Sequence, residues 1–276
     1  MGGIISNIHK KAMENHARIA LGIGSVTAKL LQSAAMAEEF ADVLLVGDNR
    51  KISTIGTHLE VIHSDEPART IVELLASGDV DGAVRGTLSA TSTLSHLKEV
   101  LDMKNLYRIA LLETPGGIPL FLAPVGIDEG STREQKLEFI RRGVEHIRRF
   151  CIEPKVGILS GGRFEDKGRD QYVDTTLDDA EYVTKKAREE GYDIRHYGIL
   201  IEDAVGEVDF ILAPDGISGN LIFRTLVLVA GGYGYGAPVL MEKVFVDTSR
   251  VGGHYSKAIM MASALAGKKG NKIHIF

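Results

Sequence analysis

The chain has 276 residues, 44% of them hydrophobic and 25% charged, with a formal net charge of -5. At about 150 residues per domain this is one large domain or two, long enough to bury a core without disulfides or a structural metal, and its acidic balance argues against a broad basic surface for nucleic acid. A single cysteine, Cys151, excludes an intrachain disulfide and a Cys-rich zinc site and fits a reducing compartment. No apolar run reaches the roughly 18 residues of a membrane span, and the start has no charged-then-apolar leader. The expectation is a cytoplasmic protein with small-molecule partners, no nucleic acid and no membrane. Glycine is abundant, with 31 residues against seven prolines, and tryptophan is absent.

Short apolar runs alternate with segments of helical period, the pattern of an α/β protein with mostly parallel strands. In chain order the strands are expected at 18–23, 42–46, 59–63, 79–84, 107–113, 118–124, 155–160, 194–201, 208–213, 238–247 and 271–275. Most are hydrophobic without alternation, as strands covered on both faces are. Helices are expected at 25–40, 66–77, 90–102, 132–151, 174–191, 218–230 and 255–266. In 132–151, Leu137, Ile140, Val144, Ile147 and Cys151 fall on one stripe, which leaves Arg141, Arg142, Arg148 and Arg149 for solvent. Segment 218–230 is apolar nearly all round and is expected to be buried. Pro124, Gly126 and Gly130 interrupt the pattern near 125–131. The expected domains are therefore 1–127 plus 247–276, and 128–246, with a ligand cleft between them.

Five strand ends carry residues suited to anions. Gly22-Ile23-Gly24-Ser25-Val26-Thr27 resembles the start of a nucleotide loop, with Asp48 in the place of a ribose-binding acid. The third glycine is missing, so a tight turn explains it more simply. Thr87, Ser89, Thr91, Ser92 and Thr93 open a helix, where hydroxyls, free backbone N–H groups and the helix dipole favour an anion; helix capping alone accounts for one or two of them. Ser160-Gly161-Gly162-Arg163 ends the strand at 155–160, either as a ligand loop or as a surface turn. Pro214-Asp215-Gly216-Ile217-Ser218-Gly219-Asn220 joins a strand to the apolar helix. Asp247-Thr248-Ser249-Arg250 supplies an arginine fork beside a hydroxyl, and Gly231 to Gly236, with two tyrosines between, is expected to be a loop able to move over a ligand. No Walker A sequence, H-E-x-x-H or G-x-S-x-G is present, and the nine histidines are scattered, so no metal site is expected.

Taken in order, 154–160, 198–204, 209–220 and 247–250 resemble segments of the phosphate acetyl- and butyryltransferases. Asp215-Gly216-x-x-Gly219-Asn220 is similar to the phosphate acyltransferase of phospholipid synthesis. Segments 157–170 and 231–240 resemble the methanogenesis marker protein 4 family, also named "putative methyltransferase Mtx subunit X". The resemblance implies two α/β domains of the isocitrate/isopropylmalate dehydrogenase type and a phosphate site in the cleft. It implies catalytic roles for Ser249 and Arg250, and Asp203 and Asn220 also match, as a cleft acid and a phosphate contact; the strand-end reading adds phosphate contacts from Ser89, Thr91, Ser160, Gly161 and Ser218 and cleft positions for Asp215 and Asp247. The family's acid six residues beyond the arginine is replaced by Ser256, with Lys257 or His254 as possible substitutes. The expectation is a phosphotransacylase-like transferase, a homodimer, with no tightly bound cofactor, acting on a small phosphorylated ligand with coenzyme A as co-substrate. The alternatives are a methyltransferase or methyltransferase subunit of methanogenesis, and a non-catalytic binding protein of the same fold.

Overall fold

The computed structural model describes residues 3–249 and 255–267. The strand expected at 271–275, His254 and Arg250 lie outside the described residues. In chain order the regular elements are α1 (Ile4–Asn15), β1 (Ala17–Ile23), α2 (Ala28–Ala35), β2 (Ala41–Gly47), α3 (Asn49–Ile55), β3 (Glu60–His63), α4 (Pro67–Ser77), β4 (Gly82–Val84) and α5 (Ala90–Val100). They continue with β5 (Ala110–Glu113), β6 (Pro119–Ala123), α6 (Arg133–Arg148), β7 (Val156–Ile158), α7 (Gln171–Glu189), β8 (Ile194–His196), α8 (Ile201–Ala204), β9 (Phe210–Leu212) and α9 (Gly216–Arg224). The last are β10 (Tyr233–Pro238), β11 (Val244–Asp247) and α10 (Ser256–Leu265). The chain is α/β with mostly parallel strands, as the alternating pattern predicts.

Two compact units divide it, Met1–Leu106 with Tyr235–Phe276, and Tyr107–Gly234. These boundaries differ from the expected 127/128 and 246/247. β5 and β6 form an antiparallel hairpin, and β6 runs parallel to β9, which attaches 107–127 to the second unit. Pro124, read as a breaker between domains, instead closes β6 through a cis peptide bond inside that unit.

In the first unit the strands lie in the order β3-β2-β1-β4-β11-β10, parallel except for the β10·β11 pair. The chain runs outward from β1 to β3 and returns beside β1 as β4, so the loops after β1 and β4 meet at a topological switch point, where open sheets bind ligands. Ile19, Leu21, Leu45, Val84 and Phe245 are wholly buried on these strands, and Ala258 to Leu265 of α10 are buried throughout. Small residues let α10 sit close to its neighbours, and Ser263 Oγ bonds Phe40 O at 2.7 Å and takes Ala17 N–H at 3.1 Å.

The second unit has the order β5-β6-β9-β7-β8. β9 returns between β6 and β7, so the loops after β7 and β9 lie side by side at the carboxyl end of the sheet. Phe121, Phe139, Phe150 and Phe210 fill the core. The α6 stripe holds through Leu137, Ile140, Val144 and Ile147, but Cys151 is exposed: the helix ends at Arg148 and Cys151 turns left-handed at φ 58°. Arg149 is mostly buried rather than solvated, and burial holds its guanidinium below the usual arginine range.

Three further expectations change. The apolar segment after Asp215 is not buried. Only Gly216 and Gly219 of α9 are, while Leu221 is 60% and Val229 83% exposed, because α9 meets its own unit along its glycine edge. The Gly-Tyr stretch is strand β10 rather than a loop, with Ala237 paired to Asp247. The strand expected at 194–201 stops at His196, where Gly198, at φ 61°, turns the chain into α8.

Candidate functional site

In the first unit, the loops after β1, β4 and β11 are tied together by one buried arginine. Arg85 follows β4 directly, so its side chain starts at the end of a fully buried strand and is itself 5% exposed. Its guanidinium pairs with Asp247 at the end of β11, donates to Thr248 O, and donates to Leu88 O at 2.5 Å. Asp247 also accepts Thr248 N–H at 2.9 Å, and Thr248 Oγ1 donates to Gly86 O at 3.1 Å. Asp247 therefore anchors the framework through Arg85. The β1 loop joins through Thr87, whose Oγ1 accepts N–H groups of Gly24 at 2.9 Å and Ser25 at 3.1 Å. Those amides are the ones a nucleotide phosphate would need, so the glycine pair serves a tight junction between loops. A Cβ at Gly22 would collide with Leu88, and one at Gly86, at φ 61°, with Gly22 O.

This framework presents hydroxyls at the end of the sheet. Ser89 caps α5, accepting Ser92 N–H at 3.4 Å, while Thr93 is buried and donates to Ser89 O at 2.8 Å. Ser89, Thr91 and Ser249 are all exposed. Five neighbouring hydroxyls thus separate into a junction (Thr87), a cap (Ser89), a buried support (Thr93) and an exposed pair (Thr91, Ser92). The helix N-terminus and the exposed hydroxyls can receive an anion.

The second unit gathers a different set. Asp215 caps α9, accepting Ser218 N–H at 2.8 Å, and takes a bond from Tyr172 OH at 3.0 Å. Burial works to raise its carboxyl, but the donors from Ser218 and Tyr172 outweigh it and hold Asp215 below the usual aspartate range. Gly216, Gly219 and Asn220 are used by the fold. Gly216 N–H donates to Glu129 O at 3.0 Å, Asn220 Nδ2 donates to Val125 O at 2.8 Å, and a Cβ at Gly216 or Gly219 would collide with the 124–130 loop. That loop is held by Glu129, whose carboxylate takes Arg108 Nε at 2.6 Å. Burial raises the Glu129 carboxyl above its ordinary value against the pull of Arg108.

At the end of β7, Ser160 is buried, its N–H bonds Gly198 O at 2.8 Å, and its Oγ lies 3.0 Å from His196 Nε2. Gly161 N–H donates to Thr176 Oγ1 at 2.8 Å. Asp203 is exposed on α8 and joins neither group. Of the expected site residues, Ser89, Thr91, Asp247 and Ser249 thus share one strand-end framework, and Ser160, Gly161, Asp215, Ser218 and Asn220 another. Among the described residues, no group of three or more His, Cys, Asp or Glu is placed to hold a metal ion.

Residues 3–193 match the family model described as "Phosphate acetyl/butaryl transferase". The chain belongs to this family. It is also 57% identical over 259 residues, 93% of this chain and 96% of the relative, to a Methanosarcina barkeri protein named "Putative methyltransferase mtx subunit X". A relative of the same name from Methanosarcina mazei is 55% identical over 269 residues, 96% of each chain. A phosphotransacetylase structure from Staphylococcus aureus shares the fold, with a TM-score of 0.71 at 16% identity over 95% of this chain and 98% of that one.

Arg85, Arg108, Tyr172 and His196 were not anticipated as site residues. A signal existed for Arg85, a charged residue placed directly after a small, apolar strand, whereas His196 ends the short strand Ile194-Arg195-His196, which carries no such mark. Tyr172 reaches Asp215 across 43 residues of chain, and nothing local in the sequence marks that pairing.

Proposed function

We propose that the chain is a phosphotransacylase-like transferase that binds an acyl phosphate, or another phosphorylated small molecule, and passes the acyl group to coenzyme A. The observation that carries this reading is exposed Ser89 and Thr91 at the start of α5 and exposed Ser249 after β11, on segments tied together by the Arg85–Asp247 pair, in a chain of the phosphate acetyl/butyryl transferase family. In the proposed reaction the coenzyme A thiolate attacks the acyl carbon. A C–S bond forms, the bond from carbon to the phosphate oxygen breaks, and phosphate leaves with the electron pair. The α5 N-terminus and the hydroxyls stabilise the charge gathering on that phosphate, with Arg250 contributing through its place beside Ser249 in sequence. No tightly bound cofactor is part of the proposal, and coenzyme A enters as co-substrate.

Calorimetry with acetyl or butyryl phosphate tests the binding step. Wild type is expected to bind, and Thr91→Ala with Ser249→Ala to weaken binding at least several-fold; equal affinity in that double variant would remove these hydroxyls from the site. A homodimer belongs to the same proposal, with the exposed Leu221 and Val229 on its contact face, since one apolar patch can meet its own copy about a two-fold axis. Sedimentation should show a dimer that Leu221→Asp dissociates, and a wild-type monomer at high micromolar concentration would count against it.

The relatives' name favours a second reading, a methyltransferase or methyltransferase subunit of methanogenesis. The β3-β2-β1-β4 order supports it, whereas Thr87 on the Gly24 and Ser25 amides opposes it. Heat on titrating S-adenosylmethionine would favour this reading, and none at millimolar ligand would reject its catalytic form.

A further inference from the structure

The Ser160–His196 contact is unused by the proposed acyl transfer to coenzyme A, and its geometry is specific. Ser160 follows β7 and His196 ends β8, so the two parallel strands bring both side chains to the same end of the sheet. Ser160 Oγ lies 3.0 Å from His196 Nε2, and on the far side of the ring Nδ1 lies 3.6 Å from Glu181 Oε2 of α7. The His196 side chain is 5% exposed, and its Nδ1 has no hydrogen-bond partner. Glu181 is the one carboxylate within 4 Å of the ring among the described residues.

Tautomer logic narrows what this can be. Ser160 has one hydroxyl proton and two candidate acceptors, His196 Nε2 and Gly162 O at 3.2 Å. If neutral His196 carried its proton on Nε2, the Nδ1 lone pair would face the Glu181 carboxylate. A neutral ring with its proton on Nδ1 avoids that repulsion, and Nε2 then accepts the Ser160 proton. The neutral state is therefore a hydroxyl on a base, with a carboxylate 3.6 Å from the base's other nitrogen.

We infer that Ser160 is a nucleophile for activated acyl groups, such as acyl phosphates or aryl esters, with His196 as its general base and Glu181 as the residue that positions the ring. Ser160 Oγ bonds to the acyl carbon, the bond from that carbon to the leaving oxygen breaks, and the leaving group departs with the electron pair. The hydroxyl proton passes to His196 Nε2, which hands it on to the departing oxygen and is neutral again before water enters. Water completes the cycle: its oxygen attacks the ester carbon as His196 takes its proton, and the Ser160 oxygen leaves and regains a proton from His196. Ser160 is 1% exposed, so reaction with a donor requires the covering Gly161–Gly162 turn to move aside. Phe164 is 54% exposed and packs edge-on to His196, with ring centroids 4.8 Å apart.

The test is modification of the intact wild-type chain by a fluorophosphonate and by p-nitrophenyl acetate, mapped by peptide mass spectrometry. The expected result is an adduct on Ser160 that is absent from Ser160→Ala. His196→Gln should slow it at least tenfold. Glu181 is 73% exposed, so Glu181→Gln should keep the melting temperature while slowing modification several-fold. It should also move the midpoint of the rate–pH profile to lower pH, because a nearby carboxylate favours the imidazolium. Folded wild type unmodified at Ser160 by millimolar reagent would overturn the inference, whatever the variants do. So would Ser160 modification at an unchanged rate in folded His196→Gln. Thioester formation at the wild-type rate by Ser160→Ala, with Ser160 inert in wild type, would leave the transferase proposal standing and remove this one.

Discussion

Arg85 and Asp247 sit where the proposed ligand site is supported rather than where it touches a ligand. Their side chains are 5% and 11% exposed, so removing Arg85 breaks a buried ion pair and takes away the donors to Leu88 O and Thr248 O. Arg85→Met is expected to cost about 3–5 kcal/mol of folding stability, measured by denaturant unfolding; a loss near zero would mean that water reaches the pair. His146 provides a second residue-scale prediction. Burial, helped by the charge of Arg149, lowers its imidazole to about 3 from an ordinary value of 6.5. The folded chain therefore keeps His146 neutral while the unfolded chain takes up a proton below 6.5. Stability should fall as pH drops from there toward 3, by up to about 1.4 kcal/mol per pH unit from this group. His146→Phe should flatten that part of the stability–pH curve, and an unchanged slope would place the acid sensitivity elsewhere. At this scale the sequence showed where hydroxyls and acids cluster, but not their partners. Asp247 reads as a ligand acid until Arg85, 162 residues away, is found against it.

The elements with long apolar periods were the legible ones. Strands β1, β2 and β6 and helices α4, α5, α6 and α7 stand within a few residues of their expected places, because each strand is a nearly continuous buried run and each helix has one dominant buried face. α1, which has no alternating or strongly apolar run, was missed; it is held by Ile4, Ile8 and Ala12. α9 was misplaced in the core because its composition is apolar all round, while its actual contact is a glycine edge against the 124–130 loop. That contact makes a prediction. Gly219→Ala puts a Cβ into Pro124 O, so it should destabilise the second unit by more than the roughly 1 kcal/mol expected in the opposite direction for an ordinary helical Gly→Ala. Thermal unfolding decides the sign, and a stabilised variant would refute the close approach. Thr132 caps α6, its Oγ1 accepting Gln135 N–H at 3.2 Å, and Thr132→Ala should cost about 1 kcal/mol on the same measurement.

For the molecule as a whole, the α/β class followed from the alternation of strand and helix periods, and the family from strand-end segments whose order matched. The division into units did not follow, because Pro124 and its glycines look like a linker in sequence and form a packed turn in the fold. Part of the glycine surplus has an origin that composition cannot show. Gly22, Gly86, Gly216 and Gly219 allow loops and helices to approach one another, and that approach builds the strand ends on which a ligand would rest. The transferase account depends on Ser249, and on Arg250 beside it, acting on a phosphorylated acyl donor. The most direct measurement is thioester formation from acetyl and butyryl phosphate with coenzyme A, comparing wild type with Ser249→Ala and Arg250→Ala. The account predicts turnover above the uncatalysed rate in wild type and a loss of at least a hundredfold in each variant, the scale of removing one stabiliser of the leaving charge. Turnover at background in wild type, or undiminished in both variants, would contradict it.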